Sequence, residues 1–129
     1  MPGDPSTKSK ELGSRYVQAA ARGDFTELSR LFSKNIIFIG ATPSGSWHTT
    51  GWLETEKMLR KLFPAEENIS EVVSIDHHDI PGRYRISYRL RGHTNEFGPF
   101  EYEQQVYYHT EENKVSRMSV LCSGLYEIA

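Results

Sequence analysis

"HDIPGRYRISYRLR", residues 78–91, turns and then alternates. Pro81-Gly82 is a turn pair, and from Arg83 onward every second residue is polar. Side chains along a strand point to opposite faces, so Arg83, Arg85, Ser87, Arg89 and Arg91 share one face. Tyr84, Ile86, Tyr88 and Leu90 share the other. One face is charged and one is packed. The run is therefore a half-buried strand, joined through its turn to an antiparallel neighbour, "SEVVSIDHHDI", residues 70–80.

The period of two continues downstream. A loop with Gly92, Gly98 and Pro99 leads into "FEYEQQVYYH", residues 100–109, then the turn "TEEN" and "KVSRMSVLCSG", residues 114–124. The last strand presents Met118, Val120 and Cys122 on one face.

Upstream the period changes to that of a helix. Leu12, Tyr16, Ala19, Ala20 and Gly23 recur at spacings of three and four, which predicts a helix from about Lys8 to Arg22. Gly23 suits the left-handed residue that ends a helix, and Asp24 with Glu27 forms a capping box for the next. Arg22-Gly23-Asp24 is thus a corner between helices, not an adhesion signal. Phe25, Leu28, Leu31 and Phe32 mark one face of the second helix, which stops near Lys34-Asn35. "IIFIG", residues 36–40, reads as a strand covered on both faces. "ATPSGSWHTTG", residues 41–51, reads as a loop whose Thr49 or Thr50 caps a third helix. That helix spans Trp52–Phe63 and stops at Pro64, with Trp52, Thr55, Leu59, Leu62 and Phe63 inward.

Helices followed by strands in hairpins define an α+β domain: three N-terminal helices packed on a curved antiparallel β-sheet, a cystatin-like cone enclosing a cavity. The chain has 129 residues, enough for a single domain at 8–129 behind a flexible leader at 1–7. Lys plus Arg number 15 against 17 Asp plus Glu, and a net charge of −2 offers no long-range attraction to nucleic acid or anionic membrane. No apolar run is long enough to span a bilayer. The lone Cys122 rules out an intramolecular disulfide framework, and with no signal peptide the expected location is cytoplasmic.

Three strings resemble the nuclear transport factor 2-like superfamily, which includes SnoaL-like cyclases and ketosteroid isomerases. "RYVQAAARGDF" is similar to the first helix and corner of the isomerases, "ISYRLRG" to their central strand, and "NKVSRMSVL" to their final hairpin. The closing "CSG" is similar to the end of the association domain of calcium/calmodulin-dependent kinase II. The resemblance implies a homodimer and a cavity for a small apolar molecule, lined by Trp47, Trp52, Ile86, Tyr88, Tyr102, Gln104, Met118 and Cys122. No cofactor is expected, and no spacing of ligand residues suggests a metal.

In the isomerases a carboxylate moves a proton beside a carbonyl while two donors hold the oxyanion. Tyr16 matches the catalytic Tyr, and the second donor falls on Gln105 in an ungapped alignment. The base position falls on Gly40, which transfers no proton. Charge gives a competing register for residues 100–109. If the arginines face outward and pair with Glu101 and Glu103, then Tyr102, Gln104, Val106 and Tyr108 face inward and Gln105 faces out.

Other chemistry is thinner. His77 and His78 are adjacent on a strand and point to opposite faces, so "DHHD" does not hold one ion. Cys122 reads as a small buried hydrophobe. Two functions remain open: a cofactor-free isomerase, dehydratase or cyclase binding an apolar molecule, and a non-catalytic oligomerisation or protein-interaction module.

Overall fold

The computed structural model describes residues 5–64, 67–96 and 98–128. Residues 1–4 of the expected leader lie outside the described residues, and helix α1 spans Pro5–Arg22. Leu12, Tyr16, Ala19 and Ala20 are buried along it, as their spacing requires. Gly23, at φ +69, ends the helix in a conformation that glycine adopts without steric cost. The Asp24 carboxylate then accepts the Glu27 amide at 3.0 Å and starts α2, Phe25–Leu31. Glu27 does not close the capping box; its carboxylate pairs with Arg15 at 3.0 Å and ties α2 back to α1. α2 ends before Lys34-Asn35 because Phe32 is already extended and opens β1, Phe32–Thr42.

The stretch read as a loop at 41–51 contains a strand, β2, Gly45–Thr50. It forms a hairpin with β1, setting Thr49 opposite Phe38 and Trp47 opposite Gly40. The next helix, α3, Trp52–Leu62, is capped by Gly51 without a side-chain bond. The Thr49 hydroxyl is engaged elsewhere, with the Phe38 carbonyl at 3.4 Å and the Thr55 hydroxyl at 2.9 Å. Five further strands follow: β3 Asn68–Ile80, β4 Arg83–Thr94, β5 Gly98–Glu111, β6 Lys114–Cys122 and β7 Tyr126–Glu127.

The cone is not formed. Among the described residues the seven strands make one open sheet in the order β2-β1-β6-β5-β4-β3, with β7 paired to β5, and it is neither closed nor strongly curled. It is also mixed rather than antiparallel, because β1 lies parallel to β6. The physical reason is the β1–β2 hairpin: it occupies one end of the sheet while α3 carries the chain to the opposite end, so the two edges never meet. The space under the helices is filled by side chains. Tyr16 stacks on Phe32 at 5.9 Å and meets Tyr88 edge-on at 6.2 Å, and Phe32 meets Trp52 at 5.6 Å.

Charge fixed the register of β5. Arg89 faces Glu103 and Arg91 faces Glu101, with ion-pair distances of 3.1 and 3.0 Å. Tyr102, Gln104, Val106 and Tyr108 are consequently buried on the helix side. A bulge does occur against β6, but between His109 and Thr110, too late to turn Gln105 inward. β7 takes the edge of β5 that β6 leaves free, and there the Tyr126 hydroxyl donates to Glu101 at 2.6 Å. That bond, with Arg91, holds the Glu101 carboxyl below the usual carboxylate range. No helix among the described residues is long and apolar enough to cross a membrane.

Candidate functional site

Tyr16, Tyr88, Gln104 and Cys122 come from one helix and three strands and meet in a single chain of polar contacts. The Tyr88 hydroxyl lies 3.2 Å from that of Tyr16 and donates to Gln104 Oε1. A phenol has one proton, and a carbonyl oxygen only accepts, so the Tyr16–Tyr88 contact is filled by the proton of Tyr16. Gln104 Nε2 continues the chain to Cys122 Sγ at 3.5 Å. The first three residues are 0–3% exposed, and burial drives the Tyr16 and Tyr88 phenols well above their usual range near 10. Both remain neutral hydrogen-bonding groups at physiological pH.

Among the described residues, the polar groups that act on Tyr16 are Tyr88 and Cys122, neither a carboxylate nor an imidazole. Gly40, at the position where the isomerases carry their base, is covered by the Trp47 ring. Trp47 packs on Phe38 at 5.6 Å, and its indole nitrogen is buried without a partner among the described residues. Trp52, Ile86 and Met118 lie in the packed core around this chain. Gln105 is not brought to Tyr16; it points to the opposite face of the sheet, where its amide donates to the Tyr107 hydroxyl.

The polar chain ends at a hollow. Its volume is about 310 Å³, and Pro43, Leu62, Glu67, Tyr102, Cys122 and Leu125 line it. The turn between β1 and β2, the end of α3 and the segment after β6 build its walls. Gly124, at φ +79, makes the turn that brings Leu125 there. Tyr102 is 2% exposed, yet its hydroxyl has no hydrogen-bond partner among the described residues. Burial, and then the Glu67 charge, push that phenol far up, so it stays protonated as a donor. Sequence reasoning placed Tyr102 and Cys122 inside but missed Glu67 and Leu125. Neither belongs to a periodic run, and only the three-dimensional path of the chain joins them to the strands.

The histidines form no comparable group. His77 Nε2 bonds the Ser14 hydroxyl at 2.9 Å and ties β3 to α1, while His78 turns outward to Asp76 at 2.9 Å. Among the described residues no group of His, Cys, Asp and Glu has the makings of a metal site.

No family model matches the chain, and no curated protein does. Solved structures do. A proposed isomerase from Bacillus subtilis superposes with a TM-score of 0.81 at 14% identity, covering 94% of this chain and 90% of that one. A proposed polyketide cyclase from Xanthomonas campestris gives 0.71 at 13% identity, covering 89% and 90%. A nuclear transport factor 2-like protein from Burkholderia xenovorans gives 0.69 at 16% identity, covering 91% and 90%. The chain has the nuclear transport factor 2-like fold shared by the SnoaL-like and ketosteroid isomerase-like proteins.

Proposed function

We propose that this nuclear transport factor 2-like chain binds a small, largely apolar carbonyl compound in the hollow beside Tyr102, and moves a proton next to that carbonyl without a cofactor. The unpartnered Tyr102 hydroxyl carries the reading. A buried donor without an acceptor costs about 1–3 kcal/mol, which an oxygen of a bound molecule recovers. The apolar walls and the volume suit one small molecule. Glu67 lines the same hollow, so a carboxylate and a phenol donor are together where Tyr16 and Gly40 are not. Tyr16, Tyr88 and Gln104 then form the rigid backing of the site. Isomerase and cyclase are the kinds of reaction that the names of two similar structures carry.

Cyclohexanone in deuterated water tests this directly. The protein is expected to accelerate exchange of its α-hydrogens, read by NMR, and Glu67→Gln is expected to lower that rate about a hundredfold while binding persists. Unchanged exchange in Glu67→Gln sinks the assignment of the base.

A specific observation also supports assembly, the homodimer expected above. Leu121 is 55% exposed on the outer sheet face, opposite Gln105 and in one shallow depression with Arg89 and Glu103. Mass measurement by light scattering at micromolar concentration is expected to give a dimer, and Leu121→Lys a monomer. A wild-type monomer contradicts this reading. The free Cys122 thiol is in keeping with a reducing compartment such as the cytoplasm.

A further inference from the structure

The geometry points to Cys122 as a nucleophile that captures α,β-unsaturated carbonyl compounds in the hollow, with Tyr102 holding the carbonyl oxygen. This rests on the reading of the hollow as a carbonyl site, and names a reaction that the proton-transfer reading does not need.

Two independent observations meet there. The first is the environment of the sulfur. Cys122 Sγ accepts one N–H from the Gln104 side chain at 3.5 Å and one from the Gly124 main chain at 3.4 Å. Such donors fix the sulfur in place. Gln104 cannot swing away, because its other end is held by Tyr88. Cys122 is also only half-buried, so a molecule in the hollow reaches it. The second is Tyr102, which lines the same hollow and whose buried hydroxyl has no hydrogen-bond partner among the described residues. Tyr102 and Gln104 are two residues apart on the helix side of β5, and Gln104 is opposite Cys122 on β6, so donor and sulfur stand on neighbouring strands of one face.

The chemistry closes without a further reactant. The thiol gives its proton to solvent, and a sulfur lone pair forms an S–C bond to the β-carbon. The π pair of the C=C bond moves toward the carbonyl, whose oxygen takes on charge facing the Tyr102 O–H. The enolate then takes a proton from solvent at its α-carbon. Nothing is oxidised or reduced, and no group leaves. A saturated ketone of the same size binds but forms no adduct.

Cyclohexenone is the probe and intact mass the readout, on the full chain. One adduct per chain is expected, mapped to Cys122 by peptide analysis, forming at least about tenfold faster than with glutathione at the same pH. Cys122→Ser is expected to form none. Tyr102→Phe is expected to slow the addition about tenfold while iodoacetamide, which needs no carbonyl donor, still alkylates Cys122 at the wild-type rate. An addition rate no greater than that of glutathione, or one unmoved by Tyr102→Phe, overturns the inference. The wild-type protein separates the two readings. Exchange of cyclohexanone hydrogens without an enone adduct leaves the proton-transfer reading standing and removes the thiol; an adduct without exchange does the reverse.

Discussion

Gly40→Ala is expected to cost about 3 kcal/mol of stability, at the top of the range for overpacking a filled core. The added methyl has nowhere to go. It runs into the Trp47 ring on one side and meets the Val120 carbonyl oxygen at 2.5 Å on the other. Val120 is the residue opposite Gly40 in the parallel β1–β6 pair, so that oxygen belongs to the sheet itself and cannot rotate aside. Trimming the ring, Trp47→Ala, is therefore expected to relieve only part of the penalty. Urea denaturation followed by circular dichroism measures both. A denaturation midpoint for Gly40→Ala equal to that of the wild type would show that β1 does not sit in this register. The same crowding means that Gly40→Asp will not restore an isomerase; it is expected to leave no folded protein, since a carboxylate would be forced among Phe38, Trp47 and the Val120 backbone.

Tyr88→Phe is the second large effect, about 2–4 kcal/mol for the loss of one oxygen atom. Its hydroxyl sits between the Tyr16 phenol and the Gln104 carbonyl, so its removal strands a buried donor and a buried acceptor together. Gln104→Leu takes away the acceptor and strands the Tyr88 hydroxyl instead. Because the two changes remove the same bond, the double variant is expected to be less destabilised than the sum of the singles by about 1–2 kcal/mol. Strict additivity in a denaturation cycle would mean that the three groups do not act as a chain.

How far the sequence reaches can be judged from particular residues. The alternation from Arg83 to Arg91 was enough to separate a charged face from a packed one, and the glutamates at 101 and 103 were enough to set the next strand beside it. That local complementarity overruled the ungapped family alignment, which had put Gln105 where Gln104 stands. The corner at Gly23-Asp24 was equally legible, since a left-handed glycine and a capping carboxylate act within a few residues.

What failed was non-local. Thr49 looked like a helix cap because the sequence does not say that Phe38 and Thr55 will both claim its hydroxyl. Gly45–Thr50 looked like a loop because Pro43 and Ser44, the residues of its own hairpin turn, lend it a loop's composition. The openness of the sheet followed from that missed strand. The site was half legible: Tyr102, Gln104 and Cys122 were placed inside by strand parity, but the hollow itself arises where four separate segments end. Tyr16 drew attention through its likeness to a catalytic residue, and its position against Phe32 and Tyr88 makes it part of the core.

An open sheet carries a hazard that a closed one avoids, because each terminal strand offers its unpaired amides and carbonyls to any other chain. β3, thirteen residues long, is one of those terminal strands, and its outer stretch contains the Asp76-His77-His78-Asp79 run. Asp76 and His78 are exposed and paired with each other at 2.9 Å, and Asp79, also exposed, pairs with Lys10 of α1 at 3.4 Å. A second molecule attempting to add itself along this strand would have to bring its own backbone against the two carboxylates, so the tetrad that invites a metal acts instead as a guard against runaway strand addition.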